Sequence, residues 1–247
     1  MRTLLLFFSM VAAVCYPAFA QPQGYSTPYD ALLKSHVHAG EEQGIESNQV
    51  DYKRWSADTR HAEAMRLIAE VRADALSGRE AMAFWINAYN LLTIDLIIRR
   101  NERDSIKKIG GLLGNAWKDY RWTIGGKEYT LDDIEHGILR KMGDPRIHMA
   151  INCASLSCPD LRAEAYAAEK LDAQLNEQVG LFLRNEEKGI RKTEDGIELS
   201  KIFDWFEEDF KAGGGVIAFI HRHDPSVAKD ARINGYFDYN WKLNGHW

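Results

Sequence analysis

Of 247 residues, 31 are Lys or Arg and 36 are Asp or Glu, giving a formal net charge of −5 at neutral pH. An acidic chain without a run of basic residues offers no footprint for nucleic acid. Hydrophobic residues make up 45% and charged residues 27%, the proportions of a globular protein rather than a disordered or fibrous one.

Arg2, the apolar run 4–14 and the small-x-small sequence Ala18-Phe19-Ala20 read together as a signal peptide over residues 1–20. That run is too short to span a bilayer. Cys15 follows Val14, where a lipid-attachment signal requires a small residue, so cleavage after Ala20 is expected instead. The mature chain then begins at Gln21 and is expected to be periplasmic or secreted, with no membrane span. Losing Arg2 makes its net charge −6. About 225 residues suffice for one domain, and neither a repeat nor a linker divides 21–247.

Pro28 is set to open a helix running to about Val37. His36 and His38 near its end read as surface histidines that complement the helix dipole. Asp58 is the expected N-cap of a helix to Ala75. Ser77-Gly78-Arg79-Glu80 has capping-box spacing and leads into the most apolar stretch, 79–100, which must be buried on most sides. Asn87 and Asn90 ride inside it on one face. A buried amide without partners costs about 1–3 kcal/mol, so each must bond either a neighbouring backbone or the polar end of a site.

Residues 121–130 read as a β-hairpin around Gly125-Gly126. Thr130-Leu131-Asp132-Asp133 caps a helix to Met142 that Gly143 stops. The segment 147–151 reads as a strand, 163–184 as a helix, and 189–199 as a second hairpin turning at Glu194-Asp195-Gly196. Ser200 caps an aromatic helix that ends at Gly213-Gly214-Gly215, and 216–221 forms another short helix. Tyr236, Phe237, Tyr239 and Trp241 in the tail are expected to dock on the body. The fold class is α+β: a helix-rich single domain with a small, mostly antiparallel sheet.

Chemistry concentrates in 148–160, where the expected strand breaks into small polar residues and a proline; reactive side chains sit at such junctions. Cys153 and Cys158 are the cysteines of the mature chain. In an oxidising compartment they are a candidate disulfide, closing a small loop worth roughly 2 kcal/mol. A zinc site would show a tighter cysteine pair with a second ligand pair, so no metal is expected. The catalytic reading makes Cys153 a thiolate nucleophile, with His136 or His148 as base. On an ideal strand His148 faces away from Cys153; His136 carries no such restriction. Glu135 or Asn90 would orient the imidazole, although Glu135, adjacent to His136 on a helix, does not face it. Asn87 and Arg140 are candidate ligand-binding residues. There is no G-x-S-x-G elbow or H-E-x-x-H signature. Gly110, Gly111 and Gly114 lack the Lys-Ser/Thr ending of a phosphate loop, and no cofactor is expected.

Phe84-Trp85-Ile86-Asn87-Ala88-Tyr89-Asn90, Leu131-Asp132-Asp133-Ile134-Glu135-His136-Gly137-Ile138-Leu139-Arg140, the stretch 147–159, Leu199-Ser200-Lys201-Ile202-Phe203-Asp204-Trp205 with Asp209-Phe210, and Tyr239-Asn240-Trp241-Lys242-Leu243-Asn244 occur in that order. Together, over about 79–244, they resemble the domain of unknown function 547 family. The resemblance implies an exported bacterial protein and carries no activity with it. It also implies that the Cys153 position is usually cysteine while the Cys158 position is often serine, which points to a role for Cys153 beyond cross-linking. The expectation is an exported thiol-dependent hydrolase or acyl-transferase acting on an amide or peptide-like substrate. The alternative is a non-catalytic module, stapled by Cys153–Cys158, that binds a small-molecule, peptide, envelope or protein ligand. Neither reading sets an oligomeric state.

Overall fold

In the computed structural model residues 24–111 and 114–247 are described, so the expected signal peptide over 1–20 and Cys15 lie outside the described residues. Helix α1 (Ser26–His36) runs directly into an antiparallel hairpin, β1 (Val37–Glu42) and β2 (Ile45–Asp51). Two short helices come next, α2 (Tyr52–Ala57) and α3 (Arg60–Ala69). His36 is not on the surface: it is buried, bonds Asp58 at 2.9 Å and packs on Trp55, whereas His38 is exposed. The N-cap of α3 is Thr59 rather than the expected Asp58, whose carboxylate accepts the Arg60 N–H at 3.0 Å, and the helix stops at Ala69, short of Ala75.

The long apolar stretch is α4 (Gly78–Arg100), and every residue from 83 to 97 is buried. Its length and mean hydropathy of 1.4 would suit a bilayer, but 89% of that window is buried against the rest of the chain, which is the mark of a core helix. Ser77 makes no side-chain cap; Gly78, at φ +53°, turns the chain into the helix instead. Both asparagines bond backbone. Asn87 donates to the Tyr166 carbonyl at 2.8 Å and accepts the Tyr166 N–H at 2.9 Å. Asn90 does the same one turn later, donating to the Ala150 carbonyl at 3.0 Å and accepting the Asn152 N–H at 2.7 Å.

The hairpin β3 (Trp122–Ile124) and β4 (Lys127–Tyr129) is as expected. Thr130 and Asp133 then cap each other, Asp133 N–H to Thr130 Oγ1 at 3.0 Å and Thr130 N–H to Asp133 Oδ2 at 2.9 Å. The helix they open is wound wider than an α-helix: Asp133–Leu139 is π-helical, with one 3₁₀ turn before Gly143. The expected strand 147–151 is absent. Asp144 caps Pro145–Met149 as a 3₁₀ helix, its carboxylate accepting the Arg146 N–H at 3.0 Å. A capping aspartate with proline at the first helical position overrides the β-branched ends of that segment.

The helix expected over 163–184 forms only as α5 (Leu171–Arg184), because the Tyr166 backbone is committed to Asn87. The second hairpin, β5 (Ile190–Thr193) and β6 (Gly196–Leu199), turns where expected. Ser200 caps α6 (Lys201–Trp205); the aromatic helix breaks at Phe206 and resumes as α7 (Glu207–Phe210), before α8 (Val216–His223). The tail adds β7 (Ile233–Tyr236), parallel to β6, and β8 (Gly245–His246), parallel to β2. The fold is α+β and helix-rich; among the described residues the strands are spread over three small, mostly antiparallel sheets rather than one.

Two apolar cores result. The larger surrounds α4; the smaller joins Phe182, Phe203, Phe210 and Phe219 from α5 to α8. The 3₁₀ helix 145–149 and the loop after it lie between them, since Ile147 and Ile151 pack in the first core and Met149 in the second.

Asn87→Ala removes both bonds that hold Tyr166 and leaves a buried backbone amide and carbonyl without partners. It is expected to lower the unfolding free energy by about 2–3 kcal/mol. In urea the midpoint should fall with an unchanged slope; an unmoved midpoint would show that the clasp contributes nothing.

Candidate functional site

The loop carrying Cys153 is held from three sides. Asn90 pins the chain at Ala150 and Asn152, on either side of Ile151. Asn152 folds the next turn: its Oδ1 accepts the Ala154 N–H at 2.8 Å and its Nδ2 donates to the Pro159 carbonyl at 2.8 Å. The C-terminal tail supplies the third side, with the Leu156 N–H on the Lys242 carbonyl at 2.8 Å and the Asn244 N–H on the Ala154 carbonyl at 3.1 Å. Ala154 sits at φ +59°, a left-handed conformation costing about 1–2 kcal/mol for a residue with a Cβ. The strain falls next to Cys153, where the backbone must turn sharply to leave that side chain on a pocket wall.

The Cys153 sulfur has three close partners: Ser155 Oγ at 3.0 Å, Cys158 Sγ at 3.0 Å and Tyr239 Oη at 3.4 Å. Its thiol titrates below the ordinary range. The hydrogen bond from Cys158 favours the thiolate most, burial opposes it, and Ser155 and Tyr239 add to the drop. Cys158 behaves oppositely, pushed well up by burial and then by the neighbouring sulfur. The two residues stand as separate thiols, Cys153 half-buried and Cys158 buried.

Cys153 opens on a pocket of about 290 Å³ walled by Trp117, Trp205, Phe206, Tyr239 and Trp241. Glu135 and His136, from the π-helical segment, and His148, from the 3₁₀ helix 145–149, line the same pocket. Glu135 accepts the Tyr89 hydroxyl at 3.1 Å, and Tyr89 in turn accepts the Trp117 indole N–H at 3.2 Å. Burial pushes the Glu135 carboxyl up to about 7; Tyr89 pulls it down and Cys153 adds to the rise.

Arg140 fixes both imidazoles. Its guanidinium donates to His136 Nδ1 at 3.0 Å, and because arginine only donates, His136 carries its proton on Nε2. Burial lowers the pKa of His136, with Asp132 opposing. In this arrangement His136 presents an N–H at Nε2. Arg140 also grips Asp209 with two bonds, at 2.6 and 2.8 Å. Asp209 accepts from His148 Nε2 at 2.7 Å, which leaves the lone pair of His148 on Nδ1. His148 stacks on Phe206 with centroids 4.0 Å apart, and burial lowers its pKa. The hydrogen bond from His148, followed by Arg140, holds the Asp209 carboxyl well below its usual range although burial opposes both.

Cys153, His136, His148 and Glu135 thus share one pocket, but neither imidazole is among the hydrogen-bond partners of the sulfur. Asn90 orients the loop rather than an imidazole, and Asn87 lies under Tyr166. Arg140 stands behind the histidines. Sequence reasoning passes over Tyr89, Ser155, Asp209 and Tyr239. Tyr89, Asp209 and Tyr239 stand inside the family-like motifs, yet nothing in their spacing links them to residue 153.

Glu135 yields a pH-dependent stability. Its folded pKa is raised, so the stability it contributes is fully present below 4.5 and is lost as pH rises through about 7. Glu135→Gln should match wild type near pH 4.5 and be more stable at pH 8 by about 3 kcal/mol, the equivalent of a carboxyl held at about 7 rather than 4.5. Urea unfolding across that range checks it; curves that stay parallel would refute the burial argument.

No curated protein and no solved structure matches the chain. The sequence model described as "Protein of unknown function, DUF547" matches residues 73–183, a segment that holds α4, Glu135, His136, Arg140, His148 and both cysteines. Over that segment the chain is similar to the DUF547 family.

Proposed function

We propose that this protein is a thiol-dependent hydrolase or acyl-transferase in which Cys153 attacks the carbonyl of an amide or peptide-like substrate. The supporting observation is a half-buried sulfur ringed by three hydrogen-bonding groups, at a strained turn, on the wall of an aromatic pocket. Such a sulfur needs no adjacent imidazole, because the donors themselves lower its pKa.

In this reading the thiolate adds to the carbonyl carbon, and the Nε2–H of His136 meets the charge that develops on oxygen. Protonated Glu135 gives its proton to the departing amine. Water or an acceptor amine then attacks the thioester, losing its proton to Glu135 or to Nδ1 of His148, and the thiolate leaves. Among the described residues no lysine or arginine lines the pocket, and Arg140 is neutralised by Asp209. An anionic acyl group would be desolvated there without compensation, so the acyl side of the substrate is uncharged and apolar.

Export to the periplasm or beyond, by way of signal peptide 1–20, belongs to the same reading, and an envelope ligand is its natural substrate. The 3.0 Å approach of the two sulfurs favours one alternative, a binding module stapled by a Cys153–Cys158 disulfide.

Alkylation by iodoacetamide after reduction separates the two readings. Cys153 should react at pH 7 faster than free cysteine, with a rate that levels off below the ordinary thiol pKa of about 8.5. Cys153→Ser should fold normally and lose hydrolysis of uncharged activated esters. Labelling no faster than free cysteine, or a serine variant that only loses thermal stability, would sink the enzymatic reading.

A further inference from the structure

In acyl transfer Cys158 would serve only as a hydrogen-bond partner of the Cys153 sulfur. Both cysteines line the pocket, but Cys158 is 5% exposed where Cys153 is half-buried, and its thiol is the harder of the two to ionise. Yet its sulfur lies 3.0 Å from Cys153 Sγ and accepts the Cys153 N–H at 3.0 Å. The loop between them is held in place: the Cys158 N–H bonds the Ser155 carbonyl at 3.0 Å, and the tail grips Leu156. One accessible sulfur surrounded by donors, with a second, buried sulfur in contact behind it, is the arrangement of an oxidisable thiol and its resolving partner.

We propose that Cys158 is a resolving thiol for Cys153, and that the pair reacts with hydroperoxides to form a reversible disulfide. The Cys153 thiolate attacks the distal oxygen of the peroxide; an S–O bond forms, the O–O bond breaks, and alcohol or water leaves with a proton. Sulfur is oxidised by two electrons to the sulfenic acid. Cys158 then attacks that sulfur, an S–S bond replaces the S–O bond, and hydroxide leaves with the Cys158 proton as water. The sulfurs must close to about 2.0 Å, a movement of about one ångström from contact. An external dithiol restores both thiols by exchange. The disulfide removes the nucleophile from the pocket while shielding it from irreversible oxidation to the sulfinic acid. This chemistry stands on Cys158 and does not require that Cys153 acylate anything.

The test is stoichiometric hydrogen peroxide on the purified, pre-reduced protein, followed by intact mass and thiol counting, with ester hydrolysis measured on the same samples. Wild type should lose both thiols and the mass of two hydrogens, and dithiothreitol should restore them. Cys158→Ser and Cys158→Ala, checked for folding by circular dichroism, should instead trap a sulfenic acid at Cys153 that dimedone captures, and should pass to the sulfinic acid in excess peroxide at least tenfold faster than wild type. Equal rates of overoxidation in wild type and both variants, or a wild type that keeps both thiols, would overturn the proposal. Because thiol loss is read directly, absence of ester hydrolysis would reject the hydrolase reading and leave this one intact.

Discussion

A single amide at position 90 carries much of the geometry around the sulfur. Buried in the middle of α4, it can satisfy neither its donor nor its acceptor on its own helix, whose backbone groups are already paired. It bonds the carbonyl of Ala150 and the N–H of Asn152, which fixes two backbone positions of a loop to the most rigid element of the fold. Cys153 is the next residue. A loop positioned by water or by apolar packing alone would not hold Ala154 in a left-handed conformation; one tied down by Asn90, Asn152 and the tail does.

A second constraint operates across the pocket. The Arg140 guanidinium has five donors and no acceptor, so whatever it touches is obliged to accept. It touches Nδ1 of His136 and the carboxylate of Asp209, and through Asp209 it settles His148 as well. One side chain thereby gives the two imidazoles opposite faces: an N–H on His136 and a lone pair on His148. The π-helical winding of 133–139 contributes by bringing Glu135 and His136 to the same cavity, although adjacent residues on an α-helix point about 100° apart.

How much of this is legible in the chain depends on the range of each interaction. Burial of α4, the hairpins at 122–129 and 190–199 and the mutual cap of Thr130 and Asp133 are local, and the spacing of apolar, turn and capping residues expresses them directly. The β1–β2 hairpin escapes such a reading because its strands, rich in Glu, Asn and Gln, have little apolar alternation to display. The 147–151 segment misleads because its apolar run is equally compatible with a short buried helix, and Asp144-Pro145 decides the matter. Asp209 and Tyr239 cannot be linked to the cysteine loop from sequence at all, since they reach it only through a tail that returns from residues 233–246 and a helix that breaks at Phe206.

The site holds two acids that cannot both ionise cheaply. Burial raises the Glu135 carboxyl to about 7 and a thiolate at Cys153 raises it further, so ionising the sulfur inside this largely apolar cavity favours the neutral carboxylic acid. Where the negative charge resides depends on the donors around each group. The sulfur has Ser155, Cys158 and Tyr239, while the carboxyl has Tyr89 alone. More donors on the sulfur favour the state with thiolate and neutral carboxylic acid. In the proposed reaction that state would supply a nucleophile and a proton donor in one cavity at one pH, which acyl transfer to a poor leaving group demands. It also makes the sulfur the most oxidisable atom in the pocket, so the feature that would activate Cys153 for acylation is the one that would make a resolving thiol behind it useful.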